Sequence, residues 1–154
     1  MSEPPLRVYR EAVPQDEDAV RQGLSESNLS VLLASTRERQ THIPIGQIFT
    51  CVCEQDRRVV GVLQWRNLGE ELEILDLAVA ESHRRTGVAS FLLEGFLQAG
   101  GRAGAAQIFL EVRQSNMAAI ALYEKFGFRR AGVRPGYYRS PVESALVMKR
   151  SSET

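Results

Sequence analysis

The segment from His83 to Ala89 has the residue types of an anion-binding turn. It directly follows an apolar run and opens an amphipathic one, so we expect it to join a strand to a helix. The first turn of a helix has backbone N–H groups without intrahelical partners, and the helix dipole adds partial positive charge there. Gly87 permits close approach of the backbone to a ligand, and Arg84 and Arg85 add full charges. The pattern therefore predicts a phosphate-binding turn; the alternative is a tight turn with solvent-facing arginines.

Other phosphate and metal motifs are absent from the sequence. It has neither the Gly-Lys-Ser/Thr of a P-loop nor the Gly-x-Gly-x-x-Gly of a dinucleotide site. Cys51 and Cys53 are two residues apart, which places both side chains on one face of a strand and predicts buried free thiols. His42 and His83 are the two histidines, so a zinc site would have few candidate ligands, and we expect no metal.

The charge of the chain is balanced overall but uneven along its length. The 154 residues include 19 Lys+Arg and 19 Asp+Glu. Residues 1–76 hold 8 basic and 13 acidic side chains, a net charge of −5, whereas residues 77–154 hold 11 and 6, a net charge of +5. A neutral chain argues against a general polyanion binder, so we expect no nucleic-acid partner.

Length and the polar N-terminal residues indicate one domain away from the membrane. A chain of this size can bury a sizeable core, and we expect a single domain over residues 1–150 with a polar tail at 151–154. The stretch Met1–Ala12 is polar and has neither the apolar run of a signal peptide nor a membrane span. We therefore expect a cytoplasmic protein without a membrane partner.

The elements that must position these residues are predicted from hydrophobic periodicity. Apolar runs predict seven strands: Val8–Val13, Ile48–Cys53, Val59–Trp65, Leu72–Val79, Ile108–Val112, Phe128–Val133 and Ser144–Met148. The second and third should form a hairpin through Glu54–Arg58. Leu72–Val79 is apolar on both faces, which predicts the centre of the sheet.

Helices and loops fill the intervals between these strands. We expect a broken helix from Pro14 through Leu33, a helix from Val88 ended by Gly100 and Gly101, and a helix capped by Asn116 and ended by Gly127. Arg37–Gln47 and Arg134–Val142 should be loops. The order of elements predicts a mixed α/β (α+β) domain.

Several motifs, in the right order, resemble the GCN5-related N-acetyltransferase (GNAT) family. They are Leu77-Ala78-Val79, Arg84-Arg85-Thr86-Gly87-Val88-Ala89, Leu110-Glu111-Val112-Arg113, Ser115-Asn116 and Ala121-Leu122-Tyr123-Glu124-Lys125-Phe126-Gly127-Phe128. Within the family the chain most resembles the RimI type, the ribosomal-protein alanine N-acetyltransferases. The match covers roughly residues 59–149 and is poor over residues 1–58. The resemblance implies a mostly antiparallel mixed sheet with a V-shaped split between two parallel strands, flanked by helices.

The resemblance also implies acetyl-CoA as cosubstrate and a set of residues that bind it. That set is Leu77, Ala78, Val79, Arg84, Arg85, Thr86, Gly87, Val88, Ala89, Asn116 and Tyr123. The turn would hold the pyrophosphate, in agreement with the helix-terminus argument. Backbone of Ala78 and Val79 would pair with the pantetheine arm and direct an N–H at the thioester oxygen, where negative charge develops on attack. Asn116 would contact the same arm, although it is equally suited to capping a helix.

Two further residues take catalytic roles by the same resemblance. Glu111 matches the proposed base, acting directly or through water, because an ammonium cannot attack a thioester until it loses a proton. Tyr123 matches the proposed acid that protonates the departing CoA thiolate. The alternatives are an ion pair of Glu111 with Arg113 or another arginine, and a core role for Tyr123 with its hydroxyl at the edge.

The acceptor is expected between the Arg37–Gln47 segment and the stretch before the last strand, where Arg134, Tyr137 and Tyr138 are candidate substrate-binding residues. An α-amine has an ordinary pKa of about 7.7–8.0 against about 10.4 for lysine, so one modest base suffices for it. We expect acetylation of a protein N-terminus, such as that of a ribosomal protein, by a monomer or weak homodimer. The alternatives are acetylation of a small-molecule amine or lysine, and a non-catalytic CoA-binding module.

Overall fold

A seven-stranded mixed sheet organises the residues that the computed structural model describes, namely 3–16, 18–19, 45–102 and 105–151. The strands are β1 (Arg7–Glu11), β2 (Ile48–Gln55), β3 (Arg58–Asn67), β4 (Glu71–Val79), β5 (Gln107–Arg113), β6 (Arg129–Arg139) and β7 (Val142–Ser151). Their spatial order is β1-β2-β3-β4-β5-β7-β6, so β4 is central, as predicted. The described helices are α1 (Val88–Arg102) and α2 (Met117–Lys125).

The parallel pair β4–β5 separates after a short paired stretch. Pairing runs from Glu71 with Gln107 to Ile74 with Leu110 and then stops. On its other side β4 pairs with β3, and the register shifts there, because Trp65 pairs with Ile74 whereas Gln64 pairs with Asp76. Leu75 is thus an extra residue on β4, and such a bulge bends a strand. β4 therefore leaves β5 at Leu75, which forms the predicted V-shaped split.

Helix α1 covers one face of the sheet and brings its N-terminus to the end of β4. Val88, Leu92, Leu93 and Phe96 are buried in the main core. Close approach is possible because β3 has Gly61, where a Cβ would lie 2.6 Å from Val88 Cγ1 and 2.9 Å from Leu92 Cδ1. The predicted mixed fold class is confirmed by this architecture.

The predicted hairpin of β2 and β3 is present, with longer strands than the sequence indicated. Asp56 and Arg57 connect the strands and have φ values of 52° and 63°. Two consecutive left-handed residues are typical of the two-residue turn that matches the twist of a hairpin. The prediction of Glu54–Arg58 as a connection was therefore too long.

Two predicted boundaries were wrong. Helix α1 continues through Gly100 and Gly101 to Arg102, because burial of its apolar face outweighs the weak helix propensity of glycine. The stretch Arg134–Val142 is not a loop: β6 runs to Arg139 and β7 begins at Val142. Pro135 and Gly136 suggested a break, but they lie in an irregular part of an edge strand, where both are tolerated.

The start of the chain is described only in part. β1 replaces the predicted strand Val8–Val13 with nearly the same bounds, and a short 3-10 helix occupies Pro14–Asp16. The rest of the predicted helix through Leu33 and most of the Arg37–Gln47 segment lie outside the described residues.

Candidate active site

The predicted anion-binding turn connects β4 to α1. Arg85 has φ 62° and Gly87 has φ 87°, and both are exposed, as are Arg84 and Thr86. The first helical bond runs from Phe91 N to Gly87 O at 3.0 Å. The N–H groups just before Phe91 therefore precede the helical ladder and are available to a ligand.

The carbonyl groups of this turn are bound by side chains. Thr86 Oγ1 donates to His83 O at 2.5 Å, and Arg84 Nε lies 3.4 Å from Val79 O. Arg7 Nη2, from β1, donates to Thr86 O at 2.6 Å. Arg7 was not singled out from the sequence, because the contact joins residues 79 positions apart and has no local signal.

At the end of β4 the backbone, rather than the side chains, is accessible to a ligand. Leu77 and Val79 pack against the main core, and Ala78 packs against a smaller cluster of Ala12, Val52 and Val62. Beyond Ile74, β4 has no pairing with β5 in the described ladder. The backbone groups on that side of Leu77–Val79 therefore lie along the split, as an extended ligand requires.

Asn116 caps α2. Its side-chain Oδ1 accepts a hydrogen bond from Ala119 N at 3.2 Å, and Gly127, with φ 88°, follows the end of the helix. The predicted cap is confirmed. Contact of Asn116 with a ligand stays a prediction.

Tyr123 is a buried residue of α2 whose ring packs edge-on against Phe128 at 5.6 Å between centroids. Burial raises the pKa of its phenol well above the ordinary value of 10, and the charges of Asp76 and Tyr138 raise it further. Tyr123 is thus part of the core, as the alternative proposed. Its phenol also stays protonated at physiological pH, as a proton donor must.

Glu111 is brought together with two of the three predicted acceptor residues. Arg134 Nη1 donates to Glu111 Oε1 at 2.5 Å, and the Glu111 side chain is 13% exposed against 56% for Arg134. A hydrogen bond to Glu111 is the main cause of the raised pKa of Tyr137. Arg134 also lies over the Tyr137 ring, 4.5 Å from its centroid. The ion pair foreseen as an alternative is present, with Arg134 rather than Arg113.

An irregularity in β6 directs these side chains toward Glu111. Arg134 pairs with Ala145 and Tyr138 pairs with Glu143, so β6 has more residues than β7 over this interval. Bulges of this kind reorient side chains next to active sites. Tyr138 contacts Arg113, whose Cζ lies 4.3 Å from the ring centroid, and burial followed by the charges of Tyr137 and Glu111 raises the Tyr138 pKa.

Asp76 is a residue that the sequence reasoning missed. It lies on β4 directly after the bulge, and its charge reaches the Tyr123 phenol. The signal that could have found it is a carboxylate flanked by two apolar residues, Leu75 and Leu77, within a predicted strand.

Three further findings concern the cysteines, possible metal ligands and helices of the described regions. Cys51 and Cys53 are free and buried, as predicted. Over these same regions, no group of three or more His, Cys, Asp or Glu side chains could hold a metal ion. No helix there is both long and apolar enough to cross a membrane.

Comparison with known proteins decides the family. The model of the acetyltransferase (GNAT) family matches residues 17–128. The chain belongs to this family. The resemblance drawn from the sequence motifs is therefore confirmed, and the split sheet and the turn after β4 are features of a GNAT domain.

Curated GNAT relatives are named for N-terminal acetylation. The chain is 40% identical over 91 residues to an N-alpha-acetyltransferase of Saccharolobus solfataricus, covering 58% of this chain and 54% of that protein. It is 40% identical over 81 residues to the ribosomal protein bS18-alanine N-acetyltransferase of Escherichia coli K12, covering 51% and 55%. The aligned part is thus about half the length of each relative.

Solved structures support the fold over nearly the whole chain. The Escherichia coli ribosomal-protein-S18-alanine N-acetyltransferase superposes with a TM-score of 0.79 at 24% identity, covering 97% of this chain and 96% of that one. Ard1 from Thermoplasma volcanium gives 0.81 at 28% identity, covering 96% and 99%.

Proposed function

We propose that this GNAT domain is an acetyl-CoA-dependent N-acetyltransferase that acetylates the N-terminal α-amine of a protein. One observation carries the proposal. In the split between β4 and β5, β5 presents Glu111 with Arg134 and Tyr137 of β6 beside it, and the anion-binding turn follows the end of β4. Groups suited to binding the acetyl donor and groups suited to deprotonating the acceptor amine thus lie along the same split.

The described residues fit acetyl-CoA. The turn offers backbone N–H groups and the charges of Arg84 and Arg85 to the phosphates, and a Cβ at Gly87 would already lie 3.3 Å from Arg7 Nη1. Leu77–Val79 offer extended backbone to the pantetheine arm, and an N–H there would stabilise negative charge developing on the thioester oxygen. When bound, acetyl-CoA supplies an activated acyl carbon and a thiolate leaving group.

Proton transfers are assigned to Glu111 and Tyr123. Glu111 accepts a proton from the acceptor ammonium, directly or through water, and direct attack then needs no covalent acyl-enzyme. Tyr123 donates to the departing thiolate, for which its raised pKa keeps the proton in place. Arg134, Tyr137 and Tyr138 contact the acceptor beside Glu111.

The choice of an α-amine rests on chemistry and on relatives. An α-amine loses its proton more readily than lysine does, so a single carboxylate suffices. The curated relatives are named an N-alpha-acetyltransferase and a ribosomal protein alanine N-acetyltransferase. A ribosomal protein N-terminus is therefore the first acceptor to test. A cytoplasmic enzyme that is a monomer or a weak homodimer remains the prediction.

A panel of acceptors tests this function. The protein is incubated with acetyl-CoA and lysine-containing peptides of varied N-terminal residue, each also supplied with its α-amine blocked, and with small amines. Thiol release follows turnover, and mass spectrometry locates the acetyl group. We expect turnover of free N-termini and loss of turnover on blocking. Turnover of blocked peptides or of small amines alone would favour the lysine or small-molecule alternative, and CoA binding without any turnover would favour a binding module.

A further inference from the structure

The turn between β4 and α1 has a backbone that must be held in place. Arg85 has φ 62°, a left-handed conformation that costs a residue with a Cβ free energy. Such residues persist where surrounding contacts determine the backbone. The next residue, Thr86, has its hydroxyl bound to His83 O and its carbonyl bound to Arg7.

Arg7 is itself fixed by a second hydrogen bond. Its Nε donates to Gln55 Oε1 at 3.0 Å, while Nη2 donates to Thr86 O at 2.6 Å. Since β1 pairs with β2, with Arg7 opposite Gln55, the sheet edge presents the guanidinium to the turn in one orientation. Arginine is suited to this, because its planar fork can serve two acceptors at fixed angles.

We propose that Arg7 is a positioning residue of the CoA site. By binding the Thr86 carbonyl, it holds that negative dipole away from the ligand and keeps the N–H groups from Gly87 onward directed at the pyrophosphate. This inference rests on the proposed function and adds a residue of β1 to a site otherwise built from β4 and α1. It predicts that the fork of Arg7, rather than its charge alone, sets CoA affinity.

Calorimetric titration with CoA tests the inference without any turnover. We expect Arg7→Gln to weaken CoA binding about tenfold, as for loss of one charge-assisted hydrogen bond. Arg7→Lys should weaken it to a similar degree, because lysine keeps the charge but not the fork. Gln55→Ala, which removes only the partner that orients Arg7, should weaken binding several-fold. Arg129→Gln is the control, since it removes the same charge from β6 at the opposite edge of the sheet.

The outcomes separate the inference from the proposed function. Wild-type affinity in Arg7→Lys would overturn the positioning role in favour of charge alone, and wild-type affinity in Arg7→Gln would overturn any role. Loss of affinity in Arg129→Gln equal to that in Arg7→Gln would overturn it as well. If Arg7→Gln fails to fold, Gln55→Ala decides, and its wild-type affinity would contradict the inference. Absence of CoA binding by the wild-type protein would overturn the inference and the proposed function together.

Discussion

At the scale of single residues, Glu111 has to be both held and available. Arg134 and Tyr137 both bind its carboxylate, and these contacts direct it toward the split. Arg134 is more than half exposed, so solvent screens its attraction to the Glu111 carboxylate. An acceptor ammonium can therefore replace the guanidinium at little cost, and the contact is compatible with Glu111 acting as a base.

Glu111→Gln should reduce the rate of acetyl transfer by about 100-fold at pH 6, the usual size of a general-base contribution. The reduction should shrink above about pH 8, where the α-amine is already largely unprotonated. Steady-state rates from pH 6 to 9 measure this, with Glu94→Gln on the exposed side of α1 as the control. A constant reduction at every pH would contradict the role of Glu111 as the base.

Tyr123→Phe should lower kcat on the order of tenfold or more while leaving CoA affinity nearly unchanged. The substitution removes the proton donor but keeps the ring that packs against Phe128. Because burial raises the Tyr123 pKa, the wild-type rate should show no loss from ionisation of this phenol below pH 10. Rates and calorimetric affinities of the two proteins measure the effect; a wild-type kcat in the variant would assign Tyr123 to the core alone.

At the scale of elements, the β6–β7 hairpin is tied to the end of β5. Arg113 donates to the carbonyls of Ser140 and Pro141 and pairs with Glu143 at 3.2 Å. Glu143 also accepts from Ser115 N at 2.6 Å, directly before α2. The hairpin that carries Arg134 and Tyr137 is thus fastened at its turn to the strand that carries Glu111.

Glu143→Ala should raise the acceptor KM on the order of tenfold, because small displacements of positioning groups reduce productive binding. CoA affinity should change less than the acceptor KM, since the turn after β4 lies on another element. Initial rates at varied peptide concentration, together with calorimetry for CoA, measure both. The matched control is Glu124→Ala, which removes an exposed glutamate of α2 that pairs with Arg130 on β6. Equal changes in both parameters would indicate a general loss of structure instead.

Local sequence signals predicted elements and single residues better than they predicted tertiary contacts between them. Alternating and continuous apolar runs identified the seven strands found among the described residues, and Asn116 and Gly127 marked both ends of α2. The contacts of Glu111 with β6 were not predictable, because Pro135 and Gly136 indicate a loop until edge pairing with β7 is known. The contact of Arg7 with the turn was likewise not predictable, because it depends on β1 lying at the sheet edge near the turn.

At the scale of the whole molecule, β1 links the sheet edge to the site. Arg7 extends from β1 to the turn, whereas Arg10 binds Glu54 on β2 and Asp16 beyond the strand. The chain is neutral, but the turn belongs to the half with net charge +5, so the charge around the turn favours a compact anion. Stability of β1 should therefore affect both the fold and CoA affinity.

Asp16→Asn should lower the free energy of unfolding at pH 7 by about 2 kcal/mol, as expected for loss of charge-assisted hydrogen bonds. Asp16 is buried and accepts from Arg10 Nη1 at 2.7 Å, Arg10 Nη2 at 3.0 Å and Val13 N at 2.8 Å. Burial opposes ionisation of Asp16, but the bonds from Arg10 and Val13 outweigh it and lower the pKa below the ordinary 3.8. A lowered folded pKa contributes stability that is fully present above the ordinary value and is lost as pH falls through the folded value.

Urea denaturation of the wild-type and Asp16→Asn proteins should therefore show a difference in the free energy of unfolding that is constant from pH 7 to 5 and shrinks below about pH 4. Asp18→Asn, the same substitution at an exposed position, should leave stability nearly unchanged. A difference that persists undiminished at pH 2, or an equal loss in the control, would show that the Asp16 carboxylate does not anchor β1.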